Sequence, residues 1–216
     1  GYNQVVVQAG DVQNQGVELA LGYNNKWNDF TWSSSYTFTL NRNEIKRLAA
    51  GEVNTVTGET ITDNEIQKDW LGASNVAPQV ILRPGGSMSD IYVNHELKRD
   101  LNGNIEIDPS TGNLSIAETD FRKVGQLSPR YTMGWSNSFG YKGIELGAVL
   151  TARIGGLTYS ATQGVLDYYG ASQATADARD RGGIPINYGT VDPQKYYSAI
   201  STAEGGYGAY YLYSAT

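Results

Sequence analysis

The sequence predicts an all-β fold: an antiparallel, long-stranded segment of a transmembrane β-barrel with long structured extracellular loops. Three observations carry this expectation. Long runs alternate strictly between apolar and polar residues, which is the pattern of a strand with one apolar face. These runs come in pairs joined by short turns, and the pairs are separated by very long connections, an asymmetry typical of membrane barrels. Composition agrees: of 216 residues, 18% are charged, 16 are Tyr and 26 are Gly, against a charged share of roughly 25% in ordinary soluble domains.

The first paired run begins at Gly16. GVELALGYN places Val17, Leu19, Leu21 and Tyr23 on one face and Glu18, Ala20, Gly22 and Asn24 on the other. Asn25–Asp29 reads as a polar turn carrying Trp27, and FTWSSSYTFTLN follows from Phe30 to Asn41. Its apolar face is Phe30, Trp32, Tyr36, Phe38 and Leu40, interrupted by Ser34. Typical globular strands span about 5 to 6 residues, whereas a tilted membrane strand needs roughly 9 to 11, and this run meets the longer figure. Tyr23, Trp27, Phe30 and Trp32 gather near the turn as an interfacial girdle would.

A second pair runs from Arg130 to Phe139 and from Ile144 to Ile154 around the turn Gly140-Tyr141-Lys142-Gly143. Ile144, Leu146, Ala148, Leu150, Ala152 and Ile154 make one apolar face; Glu145, Gly147, Thr151 and Arg153 lie opposite, with Val149 the exception. The expected wall hairpins are thus about 16–41 and 130–154, with outer loops about 42–126 and 155–210. In the first loop, Glu44–Ala50 reads as a short helix. Val80–Leu82 and Ile91–Leu97 read as strands around Pro84-Gly85-Gly86. Asn102-Gly103 signals a hairpin, and Asp108-Pro109 and Thr111-Gly112 turn the chain again. In the second loop a helix is expected around Ser172–Arg181, before a Tyr-rich tail.

Composition excludes several functions. A net charge of -6 argues against general nucleic-acid binding, which needs clustered positive charge. The absence of Cys rules out a disulfide scaffold, a thiolate zinc site and a cysteine nucleophile. His95 is the single histidine, so no multi-histidine metal site is possible. No apolar run reaches the roughly 20 residues of a membrane helix, which leaves barrel strands open. No signal peptide is visible, and the start at Gly1 reads as a mature protein, a proteolytic product or an excised segment.

The segments GVELALGYN, LSPRYTMGWSNSFGYKGIELGAVLTARIGG, TYSAT, LDYYGAS and YYLYSAT, in this order, resemble the SusC/RagA family of TonB-dependent outer-membrane transporters. The resemblance covers nearly the whole chain, and LSPRYTMGWSNSFGYKGIEL is its most specific part. It implies a 22-stranded barrel around an N-terminal plug, a SusD-like surface lipoprotein as lid, and import of glycans or oligopeptides driven by TonB. On that pattern the chain is a piece of the barrel's later half, with the plug, the TonB box and the final strands absent. TonB would be met through the missing N-terminal part, and outer-membrane lipid through the barrel's exterior.

Within this frame the apolar faces are lipid-facing, at Leu19, Leu21, Phe38, Leu146 and Leu150, and the polar faces lumen-facing, at Glu18, Glu145 and Arg153. Solvation of the lumen and cross-strand pairing are the preferred roles for those charges, ahead of contact with plug or substrate. Trp70, Tyr92, Tyr168, Tyr169, Tyr196 and Tyr197 sit in the long connections as candidate ligand or lid contacts, since aromatics suit sugar rings and protein interfaces alike. Loop packing is the default for each.

Asp100, Asn102, Asn104 and Asp108 imitate a calcium loop, but Gly103 stands fourth rather than sixth and Thr111 replaces the bidentate Glu; a hairpin is preferred. Asp177, Arg179, Asp180 and Arg181 read as a solvated helix face. Glu52, Glu59 and Asp63 have no spacing that fixes a glycosidase dyad, and no Ser-His-Asp order stands out. An enzyme is not expected, nor is a cofactor. The competing expectation is a soluble β-sandwich that binds glycans, whose two sheets would bury the same apolar faces against each other.

Overall fold

The structure, a computed structural model, describes residues 10–69, 78–108, 110–201 and 208–214. The chain opens with β1 (Asp11–Trp27) and β2 (Phe30–Arg47). Four strands lie in the connection that follows: β3 (Ile66–Asp69), β4 (Gln79–Leu82), β5 (Asp90–Leu97) and β6 (Ile116–Gln126). A second long hairpin comprises β7 (Tyr131–Tyr141) and β8 (Ile144–Ile154). The last stretch holds β9 (Leu157–Tyr159), α1 (Ala161–Tyr168), α2 (Gln173–Asp180), β10 (Ile184–Ile186), β11 (Gly189–Val191), α3 (Pro193–Ser201), a 3₁₀ turn (Gly208–Tyr211) and β12 (Leu212–Ser214).

The two long hairpins join edge to edge in one antiparallel sheet of order β1-β2-β7-β8. Phe30 pairs with Tyr141 and Leu40 with Tyr131, so both short turns lie on the same rim, where the Lys142 amide donates to the Asp29 carbonyl at 3.4 Å. The register carries each strand's apolar set across the sheet. One row reads Leu19, Phe38, Met133, Ala152, and another Leu21, Tyr36, Trp135, Leu150. β1 and β8 are the free edges of this sheet, and the barrel is not closed within this segment. Leu19, Leu21, Leu146 and Leu150 are between 45% and 65% exposed. A sandwich would bury these positions under a second sheet; here they are open.

The turns are tighter than expected. The ladder runs to Trp27 opposite Phe30, so the turn is Asn28-Asp29 rather than Asn25–Asp29, with Asn28 at φ 51°. Asn tolerates that left-handed backbone better than most residues. The second turn shrinks to Lys142-Gly143, at φ 45° and 84°, because two positive φ values match the twist of the flanking strands.

The helix expected over Glu44–Ala50 is also corrected: β2 continues to Arg47. Ile45 pairs with Val12, and both its backbone groups are taken by the 84–86 turn, Ile45 N donating to Gly86 O and Gly85 N to Ile45 O, each at 2.8 Å. Two strand-like hydrogen bonds at one residue leave the helical conformation no backbone groups to use.

The first connection builds its own antiparallel sheet, β3-β4-β5-β6, with Gln79–Leu82 buried throughout. The strands expected at Val80–Leu82 and Ile91–Leu97 are present; β6, whose charges fall on both faces, was not expected. Ile45 and Leu48 pack with Val80, Leu82 and Leu127, which seats this sheet on the end of β2. The Asn102-Gly103 hairpin forms as expected, closed by the Arg99 and Ile105 bridge, with Gly103 at φ 83°. The Asp100 Oδ1 accepts from the Asn102 and Asn104 amides, both at 2.8 Å, so these residues are engaged in holding the turn.

The two long connections then meet. Ile105 and Ile107 from the first share a core with Ile186, Tyr196, Ile200 and Tyr211 from the second. The Ile107 amide donates to the Asn187 side chain at 3.1 Å. The helix expected around Ser172–Arg181 is α2, capped by the Ser172 side chain on the Thr175 amide; α1 and α3 are additional. What reads in sequence as two separate loops is one packed body in space.

Candidate functional site

Each long strand presents two chemically distinct faces. On the apolar face, Trp27, Phe30, Trp32 and Phe139 stack in a belt at the short-turn rim, with ring centroids 6.0 to 6.4 Å apart. Phe38 and Tyr131 meet at 5.6 Å near the other end. The eight steps from Tyr131 to Phe139 span roughly 27 Å of strand. Tilted by about 40°, that is ~21 Å of height, close to the apolar band of a membrane barrel.

The interruption of this face at Ser34 has a partner solution. Ser34 pairs directly with Asn137, and two tryptophans reach diagonally over them. Trp135 Nε1 donates to Ser34 Oγ at 3.0 Å, and Trp32 Nε1 donates to Asn137 Oδ1 at 3.1 Å. Both indole N–H groups thus find acceptors within the face itself.

On the polar face the charges sit toward the ends. Glu18, Thr39, Thr132 and Arg153 form one row, and Lys26, Thr31, Gly140 and Glu145 another near the opposite rim. Between them the two inner strands carry Ser, Thr and Gly. Lys26 belongs to this face although the sequence reading assigned it to a turn; the uninterrupted alternation from Glu18 through Asn24 was the available signal. Glu18 and Arg153 occupy opposite edge strands of the sheet, so cross-strand pairing between them does not occur here.

The candidate loop aromatics divide by burial. Tyr92 is 7% exposed and Tyr196 8%, so both rings are core. The Arg83 guanidinium lies over the Tyr92 ring at 4.6 Å, and Tyr196 packs with Ile200 and Tyr211. Burial pushes the Tyr196 hydroxyl up to about 12. Tyr197 is half-buried and its hydroxyl is also raised, by burial first and then by the charge of Asp167. Trp70 lies outside the described residues. Tyr168 and Tyr169 are the exposed pair, at 43% and 69%, edge to face with centroids 5.0 Å apart.

These two tyrosines border a cleft of about 1230 Å³ between the 107–114 turn, β9, α1 and α3. Ser160 starts α1 by accepting from the Gln163 amide. The helix turns Asp167 inward, where Oδ1 accepts from Gln163 Nε2 at 2.8 Å, and leaves Tyr168 and Tyr169 outside. Asp192 caps α3, its Oδ1 accepting from the Gln194 and Lys195 amides at 2.9 and 3.2 Å, and so sets Lys195 in the first turn beside the cleft. Tyr159 and Lys195 also line it; the sequence offered no signal for either, since they converge only through the shared core.

No family model matches the chain. Among curated proteins, it is 26% identical over 184 residues to TonB-dependent receptor P3 of Formosa agariphila, covering 82% of this chain and 18% of that protein. It is 27% identical over 250 residues to TonB-dependent receptor P39 of the same organism, covering 100% of this chain and 24% of that protein. The chain therefore spans about a fifth to a quarter of the length of these relatives. A solved structure of the RagAB peptide importer in its closed-closed state aligns with 69% of this chain and 16% of that chain, at 19% identity and a TM-score of 0.42, a level that carries no functional weight. The matched curated relatives are both named TonB-dependent receptors, and the chain is similar to a segment of them.

Proposed function

We propose that this chain forms part of the wall and two outer loops of an outer-membrane TonB-dependent importer that takes up glycans or oligopeptides. The wall hairpins are about 16–41 and 130–154. The loops, about 42–126 and 155–210, rise over the barrel mouth, where a SusD-like lipoprotein acts as lid. TonB supplies energy through a plug that belongs to another part of the full protein.

One observation carries this reading: four long strands in register, apolar on one face and polar on the other, with Leu19, Leu21, Leu146 and Leu150 left uncovered. Lipid suits that face, with Leu19, Leu21, Phe38, Leu146 and Leu150 toward hydrocarbon. The opposite face, with Glu18, Glu145, Arg153 and Lys26, suits a water-filled lumen. Curated relatives named TonB-dependent receptors support the same reading.

Fractionation of source cells tests it. The protein should be extracted from outer membranes only by detergent, at an intact mass several times 23.5 kDa, with a lipoprotein co-purifying, and uptake should stop when TonB is deleted. A free product of 23.5 kDa in the soluble fraction would replace the importer with a β-rich binding module.

A further inference from the structure

We propose that the cleft bordered by Tyr168 and Tyr169 binds an anionic saccharide, with Lys195 holding a carboxylate or sulfate and Tyr169 stacking on a sugar ring. This rests on the importer reading and names a cargo class for it.

The cleft's size argues for an oligomer. At about 1230 Å³ it exceeds the roughly 300 to 1,000 Å³ of small-molecule pockets. Its charge argues for an anion. The whole chain carries a net charge of -6, yet among the described residues none that lines the cleft is acidic, and Lys195 is its charged group. Lys195 has no carboxylate within ion-pair distance among the described residues.

The neighbouring carboxylates are occupied locally. Asp108 Oδ1 accepts from the Ser110 amide at 2.7 Å and from its hydroxyl at 2.6 Å, and Asp192 caps α3. Lys195 stands in the first turn of α3. Its stem is also held: a β-carbon on Gly112 would lie 3.3 Å from Lys195 Cε, so the 108–112 turn limits where the ammonium swings.

The remaining lining suits sugar. Tyr169 offers an exposed ring face, braced by the perpendicular Tyr168, and pyranose C–H groups pack on such faces as other apolar surfaces do. Ser198 donates to the Lys195 carbonyl at 3.1 Å, which leaves its oxygen able to accept from a sugar hydroxyl. Asn113 adds an amide with both donor and acceptor. An acidic peptide shares the charge but has no ring face for Tyr169, which makes it a control.

The test uses the full-length transporter in detergent and calorimetric titration with four probes: hexagalacturonate, a sulfated galactan hexamer, neutral maltohexaose and a hexaglutamate peptide. One of the two anionic saccharides should bind, and which one separates carboxylate from sulfate as the recognised group. Binding should weaken as salt rises. Lys195→Gln should weaken it about fivefold, and Tyr169→Ala by a similar factor, with heat-modifiable gel migration showing that the barrel is intact. Preference for maltohexaose or for the peptide, binding unchanged in Lys195→Gln, or no binding of either anionic saccharide would overturn the assignment. Uptake assays keep the two readings apart. TonB-dependent uptake of another cargo would remove the cleft assignment alone, while anionic-saccharide binding without TonB-dependent uptake would remove the importer reading alone.

Discussion

The Asp90 carboxylate, with no exposed surface, lies 2.7 Å from the Lys123 ammonium, whose side chain is 48% exposed. Asp90 also accepts from the Ser87 amide at 3.0 Å and the Ser87 hydroxyl at 2.6 Å. These bonds close the segment that follows the 84–86 turn, the same turn that grips Ile45 at the end of β2. The Met88 amide adds a bond to Asn43 at 2.9 Å. A buried charge therefore stands behind the joint between a wall strand and the outer sheet.

Asp90→Asn keeps the shape and removes the charge. It should cost about 1 to 3 kcal/mol, the usual penalty for leaving partners of a buried polar group poorly satisfied. The loss should be local. Hydrogen exchange at the Ile45 and Gly85 amides should accelerate, while the Trp27–Phe30 turn keeps its protection. Equal acceleration at both ends would mean that Asp90 supports the fold at large rather than this joint.

The two faces of the wall should respond oppositely to the same charge. Leu150 and Thr37 both lie in the middle of their strands, Leu150 on the apolar face and Thr37 on the polar face. Leu150→Arg should destabilise the folded barrel by about 2 to 4 kcal/mol near the midplane. Thr37→Arg should be tolerated within about 0.5 kcal/mol, as a solvated substitution. Urea unfolding in lipid vesicles measures both. Equal costs would mean that the faces have been assigned the wrong environments.

How much of this was legible follows from what each segment interacts with. The long strands declare themselves because their apolar and polar residues alternate, and the register then places Leu19, Phe38 and Leu150 on one face. Ser34 looked like a flaw because its partner Asn137 lies more than a hundred residues away. Glu44–Arg47 lacks alternation, and its strand conformation comes from bonds to Gly85 and Gly86, which a local reading cannot contain. β6 was hidden because Glu118, Asp120, Arg122 and Lys123 leave no apolar stripe. The cleft was the least legible feature. Gly112, Tyr159, Tyr169 and Lys195 come together only because Ile107 and Ile200 share a core.

Two glycines of β1 offer a matched comparison. A β-carbon at Gly16 would sit 2.1 Å from the Leu40 carbonyl oxygen, while one at Gly22 would meet nothing within 4 Å. Gly16→Ala must push the β1–β2 ladder apart and should cost about 1 to 3 kcal/mol, as overpacking does. Gly22→Ala should fall within about 0.5 kcal/mol of neutral. Unfolding midpoints of the two variants decide the matter, and equal midpoints would show that β1 adjusts freely at Gly16.

The loop core should fail in alkali. Burial raises the hydroxyl of Tyr196 from 10.0 to about 12. It also raises those of Tyr210 and Tyr211, the latter further opposed by the charge of Asp167. The Tyr211 hydroxyl is buried without a well-formed hydrogen bond among the described residues, and burial together with the charge of Asp167 outweighs the Ser201 hydroxyl, which favours the ionised form. A tyrosine whose folded value exceeds its unfolded value stabilises the fold fully below the unfolded value, and that contribution disappears as pH rises through the folded one. The window is therefore from about pH 10 upward to about pH 12 for Tyr196. Absorbance at 295 nm should show a late ionisation step that coincides with loss of near-ultraviolet dichroism. Tyr196→Phe removes one ionisable group from the core and should move that transition to higher pH. Complete tyrosine ionisation near pH 10 with the dichroism intact would mean that these hydroxyls reach solvent, and that the two outer loops do not share a closed core.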